Sequence, residues 1–249
     1  MSGYTVVNIF VLSLVLQSLA ENLCRQDLCP KGTTHIACQN VNASFGSSCP
    51  KDASVIKLNL KDKKLLLRAH NLVRQKWASG KAKIRRPACK MAKIEWSKEL
   101  EKLALLNAKT CVVAHDGCHN TEQFRQSGQN LFVATYSLGM NVTSAVLLET
   151  AVAEWAGEEK DIAAEDLQKF DANKVSSIGH LTVLVNERSS AVGCGLVSYK
   201  RTQFKQYYLA CNYAYTNVVG EPVYGECAKA GSGCPKGIDP IYAPLCVAL

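Results

Sequence analysis

The chain has 249 residues, 47% of them hydrophobic and 20% charged, with twelve cysteines and a formal net charge of +8. That length suits one domain with a sizeable core, and the absence of internal repeats or low-complexity tracts excludes repeat architectures. The charge is segregated: residues 57–93 carry thirteen Lys or Arg against one acid, Asp62, so this segment is +12 and the remainder −4.

The first twenty residues, MSGYTVVNIFVLSLVLQSLA, hold no charged side chain and are mostly apolar from Val6 to Leu19. They read as a secretory signal cut after the small residue Ala20. No later stretch is apolar for long enough to span a bilayer, so a soluble, secreted, extracellular protein is expected. All twelve cysteines follow Ala20, and an even number behind a signal peptide reads as disulfides. Two sequons, at Asn42 and Asn141, are expected to carry glycans in the same compartment. Secretion argues against nucleic acid as the partner of the basic segment. A sulfated glycan, a lipid headgroup or a cell surface is expected instead, unless the charge is only a solvated face.

Residues 21–56 form a cysteine-rich arm with too little apolar periodicity to fold alone. A first helix is predicted from about Lys61 to Ser79, with Leu66, Ala69, Val73 and Trp77 on its apolar stripe, His70 and Arg74 beside it, and Gly80 as the stop. Lys61, Lys64, Arg68 and Lys76 must then reach solvent around that stripe. In the loop KAKIRR (81–86), Lys81, Lys83 and Arg85 are expected on one side, with Arg86 adjoining, to complete a continuous positive face. A second helix begins after the N-cap Ser97 and buries Leu100, Leu103, Ala104, Asn107, Ala108 and Cys111. A third spans about Thr143 to Lys160, and Glu158 shares a face with Leu148, Ala151, Val152 and Trp155. Strands are predicted at 180–185, 191–198 and 206–213, the first two as a hairpin. Helices followed by strands argue for an α+β fold. The tail, 216–249, reads as a cross-linked extension.

Four ordered segments carry a resemblance: HNLVRQKWASGK (70–81), HDGCHNTEQFRQSGQNL (115–131), GHLTVLVNERSSAVGC (179–194) and ACNYAYTNVVGEPVY (210–224). They resemble the antigen 5 branch of the CAP superfamily, which comprises cysteine-rich secretory, antigen 5 and pathogenesis-related proteins. The arm LCPKGTTHIACQN and the tail GSGCPKGIDPIYAPLC resemble versions from the saliva of blood-feeding flies. The resemblance implies an α-β-α sandwich with a central antiparallel sheet, a CAP domain over 57–215, and an allergen recognised by host antibodies (IgE). It also implies the pairs Cys24–Cys38, Cys29–Cys118, Cys49–Cys111, Cys194–Cys211 and Cys234–Cys246. It leaves Cys89 and Cys227, which parity would pair.

The resemblance further implies a cleft formed by His115, Gln129, Glu158 and His180. Many relatives have Glu at the position of Gln129, and an amide can serve neither as a general base nor as a good transition-metal ligand. Three readings of His180 stay open: a general base, a zinc or copper ligand with His115 and Glu158 or water, or one member of a hydrogen-bonded cluster. The chain has no G-x-S-x-G or H-E-x-x-H motif, and every cysteine has a plausible partner. The expectation is therefore a non-enzymatic binding protein that requires no cofactor, with at most weak zinc. The alternative is a weak metal-dependent hydrolase using His115, His180 and Glu158. Leu66, Val73, Leu148 and Val152 are candidate walls of a lipid channel. Integrin binding through Arg-Gly-Asp is excluded because the tripeptide is absent, and a tail with three cysteines is too poor for a channel-blocking domain.

Overall fold

A computed structural model describes residues 23–247. The expected signal segment lies outside them. Among the described residues no helix is long and apolar enough to cross a membrane.

The arm contains the short helix α1 (Ile36–Gln39) and the two-residue strand β1 (Ser54–Val55). The first long helix, α2, runs Leu60–Ala78. Asn59 caps it by accepting from the Lys61 and Asp62 amides, while Asp62 accepts from the Asn59 amide, a reciprocal capping box. Strand β2 (Glu95–Trp96) leads into α3 (Lys98–Ala108), whose N-cap is Ser97 as the sequence predicts. Next come β3 (Gly128–Ser137), α4 (Ser144–Gly157) with a 3-10 turn at Glu158–Lys160, α5 (Ala164–Gln168), α6 (Val175–Leu184), β4 (Ala191–Arg201) and β5 (Phe204–Tyr213).

The sheet order is β1-β4-β5-β3, antiparallel throughout, with β2 joining the same edge of β4 in parallel. Side chains alternate across it. Cys194, Leu196, Leu209, Cys211 and Tyr213 face one layer made by α2, α4 and α6, where they pack with Leu66, Trp77, Leu148, Trp155 and Leu181. Val197, Tyr199, Tyr208 and Ala210 face the other layer, against Ala104 and Ala108 of α3. Gly193 and Gly195 let α3 settle on the strands, since an added Cβ would lie 2.1 Å from the Glu101 amide nitrogen and 2.3 Å from Leu105 Cα. This is the α-β-α sandwich with a central antiparallel sheet.

Two predicted features are corrected. Residues 180–184 are not a strand but the second half of α6, with Val185 as its C-cap, so the expected hairpin with 191–198 does not exist. Strand β4 pairs instead with β5, through a tight turn at Thr202 (φ 53°). The second correction is β3, where no strand was expected; it forms the far edge and carries Gln129.

All twelve cysteines are paired: Cys24–Cys38, Cys29–Cys118, Cys49–Cys111, Cys89–Cys227, Cys194–Cys211 and Cys234–Cys246. Two of them staple the arm to the loop after α3, and Cys194 and Cys211 sit directly opposite each other on β4 and β5.

His70 and Arg74 lie inside the core rather than beside a stripe, each with 0% exposure. Among the described residues no carboxylate forms an ion pair with Arg74. It spends its donors on backbone carbonyls: Nε and Nη2 to Ala92 at 2.9 and 2.7 Å, and Nη1 to Leu184 and Asn186 at 2.8 and 2.9 Å. The last two close the C-terminal end of α6, where helix carbonyls lack partners and a cation is favoured. Burial lowers the Arg74 pKa to about 9, so it is still charged at neutral pH. His70 donates from Nδ1 to Leu66 O at 2.8 Å, because a carbonyl can only accept. Its Nε2 therefore accepts from the Tyr213 hydroxyl at 2.9 Å. Asn130 Nδ2 in turn donates to that hydroxyl at 3.3 Å and to His180 O at 3.0 Å.

Arg74→Met keeps the apolar stem but orphans three carbonyls. It is expected to destabilise the protein by about 3 kcal/mol or more, measured by denaturant unfolding with the disulfides intact. Burial pushes the His70 pKa down to about 4 from an ordinary value of 6.5. Between these values the unfolded chain binds the proton and the folded one does not. Stability is therefore complete above pH about 6.5 and falls as pH drops toward 4, by on the order of 3 kcal/mol from this group. The unfolding free energy of His70→Gln should show a correspondingly shallower fall across the same window.

Candidate functional site

Four elements bring the site together: the loop after α3, the start of β3, the C-terminal end of α4, and α6. His115 lies on the loop and is exposed; Gln129 is the second residue of β3 and is buried. Glu158 sits where α4 tightens into the 3-10 turn. His180 projects from the middle of α6 and stacks on the buried Trp155 of α4, ring centroids 6.3 Å apart and planes 18° from parallel. His115, Gln129 and His180 line one cleft of about 440 Å³, walled on its apolar side by Phe170, Val175, Val183 and Val219. A concavity of the same size between the arm and α3 is lined by Leu28 and Leu103 and holds no histidine.

Glu158 is not among the cleft-lining residues. Its Oε1 accepts from His180 Nδ1 at 2.6 Å and its Oε2 from the Leu181 amide at 2.8 Å. Both oxygens are committed to α6, so Glu158 orients His180 and is not a free third ligand, which corrects the expected donor set. With Nδ1 donating to a carboxylate, neutral His180 keeps its lone pair on Nε2.

The same logic fixes His115 through a longer chain. The carboxylate of Asp116 can only accept, so the Gln129 amide must turn Nε2 toward it, at 2.8 Å. The same nitrogen donates to Asn212 Oδ1 at 2.9 Å. Gln129 Oε1 then faces His115, whose Nδ1 donates to it at 2.9 Å and leaves Nε2 as the acceptor. Asp116 also receives Asn107 Nδ2 at 2.9 Å and contacts His119 Nδ1 at 2.7 Å. Burial alone would push the Asp116 carboxyl up. The His119 contact and the amide donors outweigh it and hold it at about 2. The sequence reading missed Asp116 and His119, and placed Asn107 only on the buried face of α3. The signal was present in HDGCHN, which places an acid and a second histidine beside His115.

Gln129 is thus a donor as well as an acceptor, a role that a carboxylate cannot fill. His119 also lines the cleft, but its Nδ1 is held by Asp116 and its Nε2 by Gly128 O at 3.2 Å, so the ring nitrogens left for a metal are those of His115 and His180. Among the described residues no three His, Cys, Asp or Glu side chains converge into a metal-binding group. Among the described residues neither His115 nor His180 is hydrogen-bonded to a hydroxyl or thiol. The expected lipid-channel walls are packed elsewhere: Leu66, Leu148 and Val152 are buried in the main core, Val73 packs against it, and none lines the cleft. Asn42 and Asn141 are exposed.

The positive face is not continuous, contrary to expectation. Lys76 pairs with Glu159 at 2.5 Å and Arg86 with Glu226 at 2.8 Å. Lys83 donates to Lys160 O and Ile162 O at 2.6 and 3.2 Å. Lys61, Lys64, Arg68, Lys81 and Arg85 are exposed.

A family model described as CAP, the cysteine-rich secretory protein family, matches residues 67–213. Venom allergen-1 of Aedes aegypti is 36% identical over 247 residues, covering 99% of this chain and 95% of its own. Antigen 5 like allergen Cul n 1 of Culicoides nubeculosus is 31% identical over 205 residues, covering 79% and 92%. Among solved structures, NaASP2 crystallised with Zn2+ superposes with a TM-score of 0.62 at 25% identity, covering 80% of this chain and 100% of its own.

Gln129→Glu would set a second carboxylate against Asp116. It should destabilise the fold by about 1–3 kcal/mol at pH 7.5, with a smaller penalty near pH 4.5, where one carboxyl can take a proton. Paired denaturation curves of the variant and wild type at the two pH values measure this.

Proposed function

The chain belongs to the cysteine-rich secretory protein (CAP) family, and on that premise we propose that it is a secreted, antigen 5-like protein of allergen type that works by binding and not by catalysis. The names of its relatives from Aedes aegypti and Culicoides nubeculosus support the allergen reading. A salivary origin, host proteins and IgE antibodies as partners, and a small apolar ligand for the cleft belong to the same proposal.

The observation that carries the non-enzymatic reading is the committed geometry of the two imidazoles. Nucleophilic catalysis needs a hydroxyl or thiol in hydrogen-bond reach of its base. Here His115 faces an amide, His180 faces a carboxylate, Ser127 in the cleft donates its hydroxyl to Tyr213 O at 2.7 Å, and every cysteine is in a disulfide. The hydrolase reading would need water activated by a metal. A metal bound by Nε2 of His115 and His180 would gain from their oriented rings. With two protein ligands instead of the three usual in catalytic zinc sites, it would be held weakly and exchangeably.

Calorimetry with Zn²⁺ is expected to show one weak site, lost in His180→Ala. A panel of ester, phosphoester and peptide substrates should show no turnover with or without added zinc. Chelator-sensitive turnover that His180→Ala removes would overturn the reading in favour of the hydrolase.

A further inference from the structure

The basic segment serves two purposes that the sequence does not separate. Of its thirteen cations, Lys63, Lys76, Arg86, Lys90 and Lys93 are in ion pairs, Lys83 is held by carbonyls, and Arg74 is buried. Lys57, Lys61, Lys64, Arg68, Lys81 and Arg85 are exposed and form no ion pair among the described residues.

Three of these six fall in one row. At about 100° per residue, positions 61, 64 and 68 lie within about 60° of the circumference of α2, and about 10 Å along its axis. The row is free of acids because Asp62, the one acid of the segment, is turned inward. It accepts from the Asn59 amide at 3.0 Å and from Ser144 Oγ at 2.7 Å, and is 6% exposed. The apolar residue between them, Leu65, is half-buried and packed on the core. Lys57, three residues before the helix, is a fourth exposed cation near its start in the chain.

We propose that Lys61, Lys64 and Arg68, with Lys57, form a docking site for a sulfated glycosaminoglycan. The partner's chemistry follows from the surface. Three cations one helical turn apart on a rigid rod match the repeating anions of a linear polymer. A bilayer would need exposed apolar side chains at the same level. Leu60 and Leu72 are exposed, but they stand at the two ends of the row and not between its charges. The site is independent of the cleft, and its failure would leave the cleft reading untouched.

Heparin-column elution tests it on the full disulfide-bonded protein. The triple variant K61E/K64E/R68E is compared with K169E/K229E/K236E, which has the same net charge and alters exposed lysines elsewhere. Both should keep the wild-type unfolding midpoint, which removes misfolding as a cause. The α2 variant is expected to elute at a roughly twofold lower salt concentration than wild type, with the control close to wild type, since exposed charges are screened within about 8 Å at 0.15 M salt. Equal loss in both variants means that net charge alone acts and overturns the site. So does unchanged elution of the α2 variant. Retention on heparin that is insensitive to the α2 variant, with its binding to phosphatidylserine vesicles abolished, would assign the row to membranes and also overturn the proposal.

Discussion

One buried guanidinium holds the layers in register. Arg74 lies in the C-terminal half of α2, and its hydrogen bonds reach the segment before β2, the end of α6 and the turn that follows. An isolated charge in a core is costly, and what makes it tolerable is that the carbonyls it meets would otherwise be orphaned themselves. The end of a helix supplies such carbonyls in a cluster. Because α6 is fixed at that end, His180, one turn before it, is fixed as well. Glu158 holds the same ring from the other side through α4. The position of the cleft histidine thus depends on a contact that never touches the cleft.

Much of the fold was legible because it follows periodicity and caps. The predicted boundaries of α2, α3 and α4, and of β4 and β5, lie close to those observed. The failure at 180–185 is instructive. Leu181, Val183 and Val185 alternate as a strand would, yet Ile178, Leu181, Thr182 and Val185 also recur at helical spacing, and all four are buried. A short apolar run fits both periods, and the tie was broken by remote partners, Arg74 and Glu158. Strand β3 escaped for the opposite reason. Its first residues, Gly128, Gln129 and Asn130, are polar or small although buried, because they face side-chain partners instead of an apolar layer.

The same contrast runs through the site. His115, Gln129, Glu158 and His180 were reachable by resemblance, and three of them line one cleft. What each does was not reachable, because roles depend on which atom faces which. An amide between a carboxylate and an imidazole has one satisfactory orientation, and that orientation decides which ring nitrogen is free. Asp116 therefore governs the chemistry of His115 without touching it through its side chain. Pairwise motif reading does not expose that kind of dependence, since it needs the three-dimensional order Asn107, Asp116, Gln129, His115.

The tether between arm and domain adds a condition of its own. Cys118, bonded to Cys29, sits between His115 and His119 on a loop without regular secondary structure. One wall of the cleft is therefore anchored by a bond that a glutathione-rich compartment would open. Reduction of Cys29–Cys118 and Cys49–Cys111 would remove both covalent links between the arm and this loop, and leave His115 on a loop held by non-covalent contacts alone. The shape of this wall is thus tied to redox conditions: the loop that carries His115 keeps its covalent anchor only where disulfides persist.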